Sequence, residues 1–533
     1  MICEVRARRT CCFDPVSLRA MGCSGKRGGN DDPSFIYLGA IQSTSPLFWS
    51  SLWAVSRSRF RPIRRAFSCF SSTSTDRRHV RKRPVNARHS FAAMTQDVQG
   101  HDLSGATTEA VTAYDQAVRA FNLVHGNAVG LFEEASQAAP DFAMAYLGKA
   151  WVFALANDPG LMTEAKALVE TAGSLMLNER EQAHRAALTH LVQGSRAAAV
   201  AVLDRHLMRY PFDLVAHQGA AVTDGFLGRF PWVRDRSARA LPFWSKDQPG
   251  YGTLLAMHGF GLEEAGDYTR AEDESRAAAE LEPLSFWPHH TVAHVMEMTG
   301  RPEDGLGWMA AREALWSSPG HMNQVHIWWH KALFHLELGQ HHAALAIYDG
   351  PIRATQRPVA LSLTNATALL WRLDMLGCDI GARWRELAAW WQGHADGKCL
   401  VFTDIHAAMA ELRSGQEALV ERRLQAMREA SATTIEAAGL YRTVGIPIVE
   451  ALAAFHRGAY LEAVELLLPV RFDLWRIGGS HAQRDVIDWT LTEAAVRAGQ
   501  RDVAVSLAHE RLATRSRSAP NRRFLRHAEA IPD

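Results

Sequence analysis

The chain has 533 residues, of which 47% are hydrophobic and 22% charged, a composition typical of globular proteins. Its net charge of +1 favours no class of partner, but residues 1–93 carry 17 Lys/Arg and 5 Asp/Glu, a charge of +12, whereas residues 94–533 carry −11. The sequence has no apolar run of 18 or more residues, so we expect no membrane-spanning helix and no membrane partner.

The first 93 residues are rich in Arg and Ser, poor in acid and without a helix or strand period. Acidic, helix-forming sequence begins at once with Met94, in "MTQDVQGHDLSGATTEAV". We therefore expect residues 1–93 to be a disordered basic segment that precedes a true start at Met94, with residues 94–533 as the folded domain. The alternatives are a disordered tail that binds nucleic acid non-specifically and a targeting segment.

Cysteine follows the same division as charge. Five of the seven cysteines fall in residues 1–93, which leaves Cys378 and Cys399 for the rest of the chain. Two widely spaced cysteines indicate a reducing compartment and no disulfide framework, so we expect a cytoplasmic protein.

Helical patterns fill the chain after Met94, and they repeat. The unit Gly252–Leu284 fits the tetratricopeptide pattern, with a small residue at Gly259, where its two helices should cross, and a turn at Gly266. Adding 34 residues to that turn gives Gly300, which predicts the next unit. Similar turns follow other helical patterns, at Gly194, Gly339, Gly415, Gly458 and Gly499. Since one helix pair cannot bury its apolar face alone, we expect an all-α, right-handed α-solenoid of stacked pairs.

Four blocks carry a more specific resemblance: "HHTVAHVMEMTGRPEDGLGWM", "HIWWHKALFHLELGQHHAALAIYD", "FTDIHAAMA" and "LLLPVRFDLWRIGGSHAQRDV". In this order they resemble the tetratricopeptide repeat protein 38 family over most of residues 100–515. "RIGGSHAQRDV" is the most specific, because no generic helix repeat requires it. The resemblance implies a helical-repeat fold and supplies no biochemical activity. Residues 1–93 match nothing in it.

The repeat register points to a candidate binding face. His290, His294 and Glu297 share one stripe of a first helix, the helix that lines the concave groove in tetratricopeptide arrays. His326, Trp329 and His330 fall on the next first helix. Adjacent first helices lie about 10 Å apart, so the two sets of histidines are expected to approach each other.

Two later blocks add further groove candidates. The polar residues of "VFTDIHAAM" and "GGSHAQRDV" that join the set are Asp404, His406, His481, Arg484 and Asp485. For the last block, a helix cap at Ser480 and an Arg484–Asp485 ion pair are the structural alternatives.

Three functions compete for these residues. We favour an interaction or ligand-binding scaffold that takes a protein, a peptide or a small molecule in its concave groove, with no cofactor and no nucleic-acid partner for residues 94–533. The second hypothesis is a metal-assisted hydrolase or an oxidoreductase, since two His and a carboxylate can bind a divalent metal. "HTVAHVME" lacks the metalloprotease spacing H-E-x-x-H, however. In the third, the polar residues satisfy one another inside a closed superhelix.

Overall fold

The computed structural model describes residues 95–354 and 359–532. Throughout these ranges the chain is helical and forms no β-strand, apart from two isolated bridges, Gln96 with Asp102 and His125 with His321. The expectations for residues 1–93 and for a start at Met94 lie outside the described residues.

Paired helices build the first half of the fold. In chain order they are α1 (Thr108–Leu123), α2 (Ala128–Ala138), α3 (Ala143–Leu155), α4 (Pro159–Gly173), α5 (Glu179–Val192), α6 (Arg196–Arg209), α7 (Leu214–Phe226), α8 (Phe230–Ala240), α9 (Tyr251–Glu264), α10 (Tyr268–Leu281), α11 (Phe286–Met298) and α12 (Pro302–Ala311). A 3₁₀ turn, Leu241–Phe243, follows α8.

The second half continues the same construction with short inserted helices. Its helices are α13 (Glu313–Trp316), α14 (Gln324–Glu337), α15 (His341–Ile347), α16 (Ala360–Met375), α17 (Arg383–Trp390), α18 (Val401–Arg413), α19 (Glu417–Ser431), α20 (Ala438–Leu440), α21 (Ile446–His456), α22 (Tyr460–Val470), α23 (His481–Arg497), α24 (Arg501–Thr514) and α25 (Ala519–Glu529). Tyr348–Ile352 and Tyr441–Gly445 are π-helical, and Arg471–Ile477 is 3₁₀.

The turn glycines confirm the repeat register. Every predicted turn glycine directly follows a first helix and has a positive φ, from 66° at Gly300 to 85° at Gly266. A residue in this left-handed region ends a helix and satisfies its last carbonyls, and glycine adopts it without a steric penalty. The turns at Gly228 and Gly377 have the same conformation and were not predicted.

Small residues let the two helices of a pair approach, as the sequence predicted. A Cβ on Gly259 of α9 would lie 2.4 Å from Oγ of Ser275 on α10. Ala271 and Ala278 of α10 are fully buried. The all-α solenoid of tetratricopeptide-like pairs is thus confirmed, from α1 with α2 to α23 with α24.

The solenoid winds tightly enough to bring distant helices together. α23 packs against α11 and α16, and α25 packs against α14. At another place Arg196 of α6 donates from Nη2 to the carbonyl of Cys399, 3.1 Å away, and the amide of Gly479 donates to the carbonyl of Gly225. These contacts enclose a space between the first helices.

One segment of the described residues, Ala438–His456, is long and apolar enough to cross a membrane. It combines α20, a π-helical turn and α21, and 56% of its apolar window is buried inside the fold, where α21 packs against α18 and α22. Its apolar composition is accounted for by that packing, as in a core helix.

Candidate functional site

A cavity of about 390 Å³ lies in the space that the first helices enclose. Most of its wall is apolar and includes Phe121, Val152, Val222, Phe226, Phe260, Phe286, Met322, Leu361 and Phe402. These residues come mainly from the first helices of successive pairs. The helices that were expected to line an open groove therefore line a partly open cavity.

Seven polar residues interrupt the apolar wall, and none of them is a Lys, Arg, Asp or Glu. They are Gln218, His290, Asn323, His326, Asn365, Ser480 and Gln483. Among the described residues, then, the cavity lining offers uncharged hydrogen-bonding groups and no formal countercharge. Such a wall suits a neutral, largely apolar molecule, because burial of an unpaired charge there would be costly.

Four of the predicted histidines meet beside this cavity. The Nε2 atom of His326 lies 2.9 Å from Nε2 of His290 and 3.2 Å from Nε2 of His330. The ring of His294 lies 4.3 Å from that of His290 and 4.5 Å from that of His330, centroid to centroid. The predicted approach of α11 and α14 therefore takes place.

The expectation that this stripe faces an open groove is wrong. His290, His294, Glu297, His326 and His330 are between 0% and 6% exposed. The reason is the closure of the superhelix, which covers the concave face with the C-terminal helices. His290 and His326 reach the cavity, and the other three residues lie behind them.

Polar partners hold the outer nitrogens of two of the four histidines. Nδ1 of His326 is 3.0 Å from Oδ1 of Asn365, and Nδ1 of His330 is 3.3 Å from Oε2 of Glu297. Nδ1 of His294 lies 3.5 Å from Oε2 of Glu263, beyond a good hydrogen bond. Neither ring nitrogen of His294 has a hydrogen-bond partner.

Burial keeps these imidazoles neutral. Removal from water lowers the pKa of His326 to about 3, and burial with neighbouring imidazoles holds the pKa of His290 and His330 well below the ordinary value. A neutral imidazole has one bare nitrogen that can accept a hydrogen bond or bind a metal.

Sequence reasoning missed the carboxylates behind His294. Glu263 and Glu264 end α9 and are buried, and neither oxygen of Glu263 has a hydrogen-bond partner. Burial raises the pKa of Glu263 to about 8 and that of Glu297 to about 7. The sequence could have predicted these two residues. Both lie at the end of a first helix, and first helices were expected to line the groove.

Trp329 belongs to the core, not to the cavity. Its indole is fully buried, stacks on His326 at 5.3 Å and lies beside the guanidinium of Arg372. It holds one face of the His326 ring in place, and it has no surface from which to contact a ligand.

Asp404 and His406 do not join the histidine cluster. Asp404 accepts hydrogen bonds from Arg423, Tyr441 and the amide of Gly397, a buried network that connects α18 with α19 and the π-helical turn. His406 donates from Nδ1 to the carbonyl of Phe402, 2.8 Å away. Both residues are buried, so the prediction that they line an open groove is also wrong.

The last block separates into three parts. His481 is exposed on one side, and its backbone amide donates to Oε1 of Glu264. Arg484 faces Glu264 at 3.9 Å, whereas Asp485 pairs with Arg511 and Arg515 at 2.8 and 2.9 Å. Arg484 and Asp485 therefore do not pair with each other. The predicted Ser480 cap is confirmed, because its side chain accepts from the amide of Gln483.

A second buried group of histidines was not predicted. Asp213, the N-cap of α7, receives Nε2 of both His184 and His206 at 2.9 Å and Nε of Arg180 at 2.6 Å. Its carboxylate is already neutralised by the guanidinium, so this group links α5, α6 and α7 as a structural junction.

Fold and site together define an all-α helical-repeat protein whose superhelix encloses an apolar cavity beside a histidine cluster. No protein-family model matches the sequence. Among solved structures, the chain is similar to a human IFIT1 dimer with m7Gppp-AAAA, at 14% identity and a TM-score of 0.37, over 79% of this chain and 94% of that chain. A monomeric IFIT1 mutant with Gppp-AAAA matches at 12% identity and a TM-score of 0.36, over 80% of this chain and 96% of that chain. The fold assignment stands on the helix pairs themselves.

One expectation about partners is corrected by these matches. We expected no nucleic-acid partner for residues 94–533, and that exclusion is wrong, because the matched IFIT1 structures hold capped oligonucleotides. An array of helix pairs does not by itself exclude nucleic acid.

Proposed function

We propose that the chain is a cytoplasmic helical-repeat protein of the tetratricopeptide repeat protein 38 family that binds a small, largely apolar molecule inside its superhelix. The observation that carries this proposal is the cavity of about 390 Å³ with an apolar wall, which is open to solvent on one side. Its volume falls within the range of about 300–1,000 Å³ typical of small-molecule sites.

The polar residues of the wall favour one orientation of the ligand. His290, His326 and Asn365 contribute to one part of the lining, and Phe121, Val152 and Phe153 to another. A ligand with one uncharged hydrogen-bonding group and an apolar body can pair the first set and bury its body against the second. Burial of apolar surface supplies most of the affinity, at about 25 cal/mol per Å².

The most specific block of the family resemblance supports the same site. Gly479, Ser480 and Gln483 of "RIGGSHAQRDV" line the cavity, and Gln483 donates to Asn365 at 3.3 Å. A segment that a generic helix repeat does not require thus forms part of the ligand wall. We infer from this placement a binding role for the block, in addition to its role as a helix start.

A small molecule fits this cavity better than the peptide of the groove hypothesis does. An extended peptide needs a continuous groove, and contacts such as Arg196 with Cys399 and Gly225 with Gly479 cross between distant repeats. These contacts interrupt the concave face, so a cavity of about 390 Å³ suits a compact ligand better than an extended peptide.

Nile red, a neutral apolar dye, provides the test. The purified chain should bind it with a blue-shifted emission, and Val222→Trp and Leu361→Trp, which fill the cavity from α7 and α16, should each weaken binding by at least about tenfold. Ala310→Trp adds the same side chain at an exposed position of α12 and should bind the dye like the wild type.

Two results would contradict the proposal. One is equal dye binding by all four proteins, which would place the dye on the outer surface. The other is a folded wild type that does not bind the dye and holds no organic molecule by native mass spectrometry. Circular dichroism of each variant shows whether a loss of binding reflects a loss of fold.

The histidine cluster favours a second candidate, a metal-assisted enzyme that acts on the molecule in the cavity. Two of its imidazoles, His290 and His326, reach the cavity wall. An enzyme would convert the organic molecule that it holds. That molecule, extracted after different incubation times, should therefore change in metal-loaded protein and stay the same in chelator-treated protein.

A further inference from the structure

Four imidazoles from two neighbouring helix pairs converge on one point. His290 and His294 lie one turn apart on α11, and His326 and His330 lie one turn apart on α14. One ring nitrogen from each lies within 4.8 Å of those of the other three. The i, i+4 spacing puts the two histidines of each helix on one face of that helix. The two faces pack together, so all four histidines are neighbours.

The hydrogen bonds of Asn365 determine where the proton of His326 lies. Nδ2 of Asn365 donates to the carbonyl of Leu361 at 2.8 Å, so its Oδ1 faces His326. Oδ1 also accepts from Gln483. Because Oδ1 is an acceptor, Nδ1 of His326 carries the proton and Nε2 of the neutral ring is a bare lone pair.

That lone pair faces more than one partner. Nε2 atoms of both His290 and His330 approach it, at 2.9 and 3.2 Å. Nδ1 of His330 lies 3.3 Å from Oε2 of Glu297. When Nδ1 donates to that oxygen, Nε2 of His330 carries a second lone pair, directed at the first. Two such lone pairs repel each other, whereas a cation between them would attract both.

His294 adds an unpaired polar group to the same point. Its ring is fully buried, and neither nitrogen has a hydrogen-bond partner. An unsatisfied buried polar group is unfavourable, because it has lost its hydrogen bonds to water without gaining a partner. A bound cation would satisfy one of these nitrogens and turn the other towards Glu263, 3.5 Å away.

We propose that His290, His294, His326 and His330 bind a divalent first-row transition metal of the Zn²⁺ type through one imidazole nitrogen each. Zn–N bonds of about 2.0–2.1 Å in tetrahedral geometry separate ligand nitrogens by about 3.3 Å. The observed Nε2 separations of 2.9 and 3.2 Å are close to that value. The proposal rests on this geometry and does not depend on the small-molecule proposal.

The surroundings of the cluster match those of a metal centre. Glu297 and Asn365 hold the outer nitrogens of His330 and His326, the arrangement that orients histidine ligands in metalloproteins. Glu263, Glu264 and Glu297 place three buried carboxyl groups around the point. Imidazole ligands alone select Zn, Cu, Ni or Fe over Mg or Ca.

A bound metal would connect two functions of the fold. It would cross-link α11 to α14, and it would sit behind the two imidazoles that line the cavity, His290 and His326. A molecule in the cavity would then meet metal-bound rings with fixed orientations.

The test uses the full chain, stripped with a chelator and loaded separately with Zn²⁺ and with Co²⁺. We expect one metal per chain by elemental analysis, the intense visible absorption of four-coordinate Co²⁺, and X-ray absorption that shows nitrogen ligands at about 2.0–2.1 Å. His294→Gln and His330→Gln should each reduce the bound metal to well below one per chain.

Two substitutions on the same helices are matched controls. His289 of α11 is buried and donates from Nε2 to the carbonyl of Pro283, outside the cluster, and His335 of α14 is half-buried and lies against Gln340. His289→Gln and His335→Gln should keep one metal per chain and the Co²⁺ spectrum of the wild type.

Absence of stoichiometric metal from the folded, reloaded wild type would overturn the proposal, as would metal binding that is equal in all four variants. X-ray absorption of the wild type decides the case even if the cluster variants do not fold. The small-molecule proposal fails separately, since Val222→Trp should lose Nile red and keep its metal.

Discussion

The Nε2 atoms of His290 and His326 lie 2.9 Å apart, although the two histidines belong to successive helix pairs. Each is fixed from behind, His326 by Asn365 at 3.0 Å and His290 by a stacked Phe286 ring at 4.6 Å. The contact therefore joins two repeats at the wall of the cavity. Substitution of the residues that hold the two rings tests its role.

Asn365→Leu should lower the affinity for Zn²⁺ by about 10–100-fold, the usual effect of removing an outer partner of a histidine ligand. The substitution removes the acceptor that keeps the proton of His326 on Nδ1. Competition with a chromophoric chelator measures the affinity. Thr364→Val is the control, because Thr364 lies on the same turn and donates to the same Leu361 carbonyl; an equal loss in this variant would refute the role given to Asn365.

Gly305→Ala and Gly307→Ala should change stability in opposite directions, although both lie in α12. A Cβ at Gly305 would lie 2.4 Å from the buried ring of Phe334, and overpacking of this kind costs about 1–3 kcal/mol. A Cβ at Gly307 would meet nothing within 4 Å, so alanine should stabilise the helix by about 0.5–1 kcal/mol. Urea unfolding of both variants gives the sign; a stabilised Gly305→Ala would show that the α12–α14 packing is looser than described.

Asp213→Asn should lower the free energy of unfolding by up to about 3–5 kcal/mol, because it removes the nearer of the two carboxylates that pair with the buried guanidinium of Arg180, the other being Asp97 at 3.4 Å. Asparagine caps a helix as well as aspartate does, so loss of the α7 cap does not explain the effect. Asp267→Asn changes an exposed N-cap aspartate, that of α10, and should stay within about 0.5 kcal/mol of the wild type. Similar losses in the two variants would contradict the buried ion pair.

His406 should make the protein less stable in mild acid. Burial lowers its pKa from 6.5 to about 4, so below pH 6.5 the unfolded chain binds a proton that the native state excludes. Its contribution is complete above pH 6.5 and is lost as the pH falls towards 4, up to about 3 kcal/mol.

Urea unfolding across that pH range tests the role of His406. His406→Asn keeps a donor near the carbonyl of Phe402 and does not titrate, so its stability should fall less steeply with acid than that of the wild type. His342→Asn, at an exposed position of α15, should retain the full slope. Parallel slopes for His406→Asn and the wild type would rule out His406 as the group concerned.

Local sequence determined the helix pairs and their register. Glycine at the turn after a first helix and alanine at the crossing are requirements of a few adjacent residues, which is why Gly266 and a spacing of 34 located Gly300 and placed α11 beside α14. That register also predicted the meeting of His290 and His294 with His326 and His330, because neighbouring pairs stack at a fixed distance.

Tertiary structure alone decided that the concave face is closed. The small rotations of successive pairs add up over the whole array, and no single repeat encodes the sum. As a result the sequence indicated an open groove, whereas α23 packs back onto α11 and α16 and encloses the cavity. Asp404 pairs with Arg423 of the next helix, and Glu263 and Asn365 lie around the histidines, through side-chain packing between helices that the repeat pattern alone does not specify.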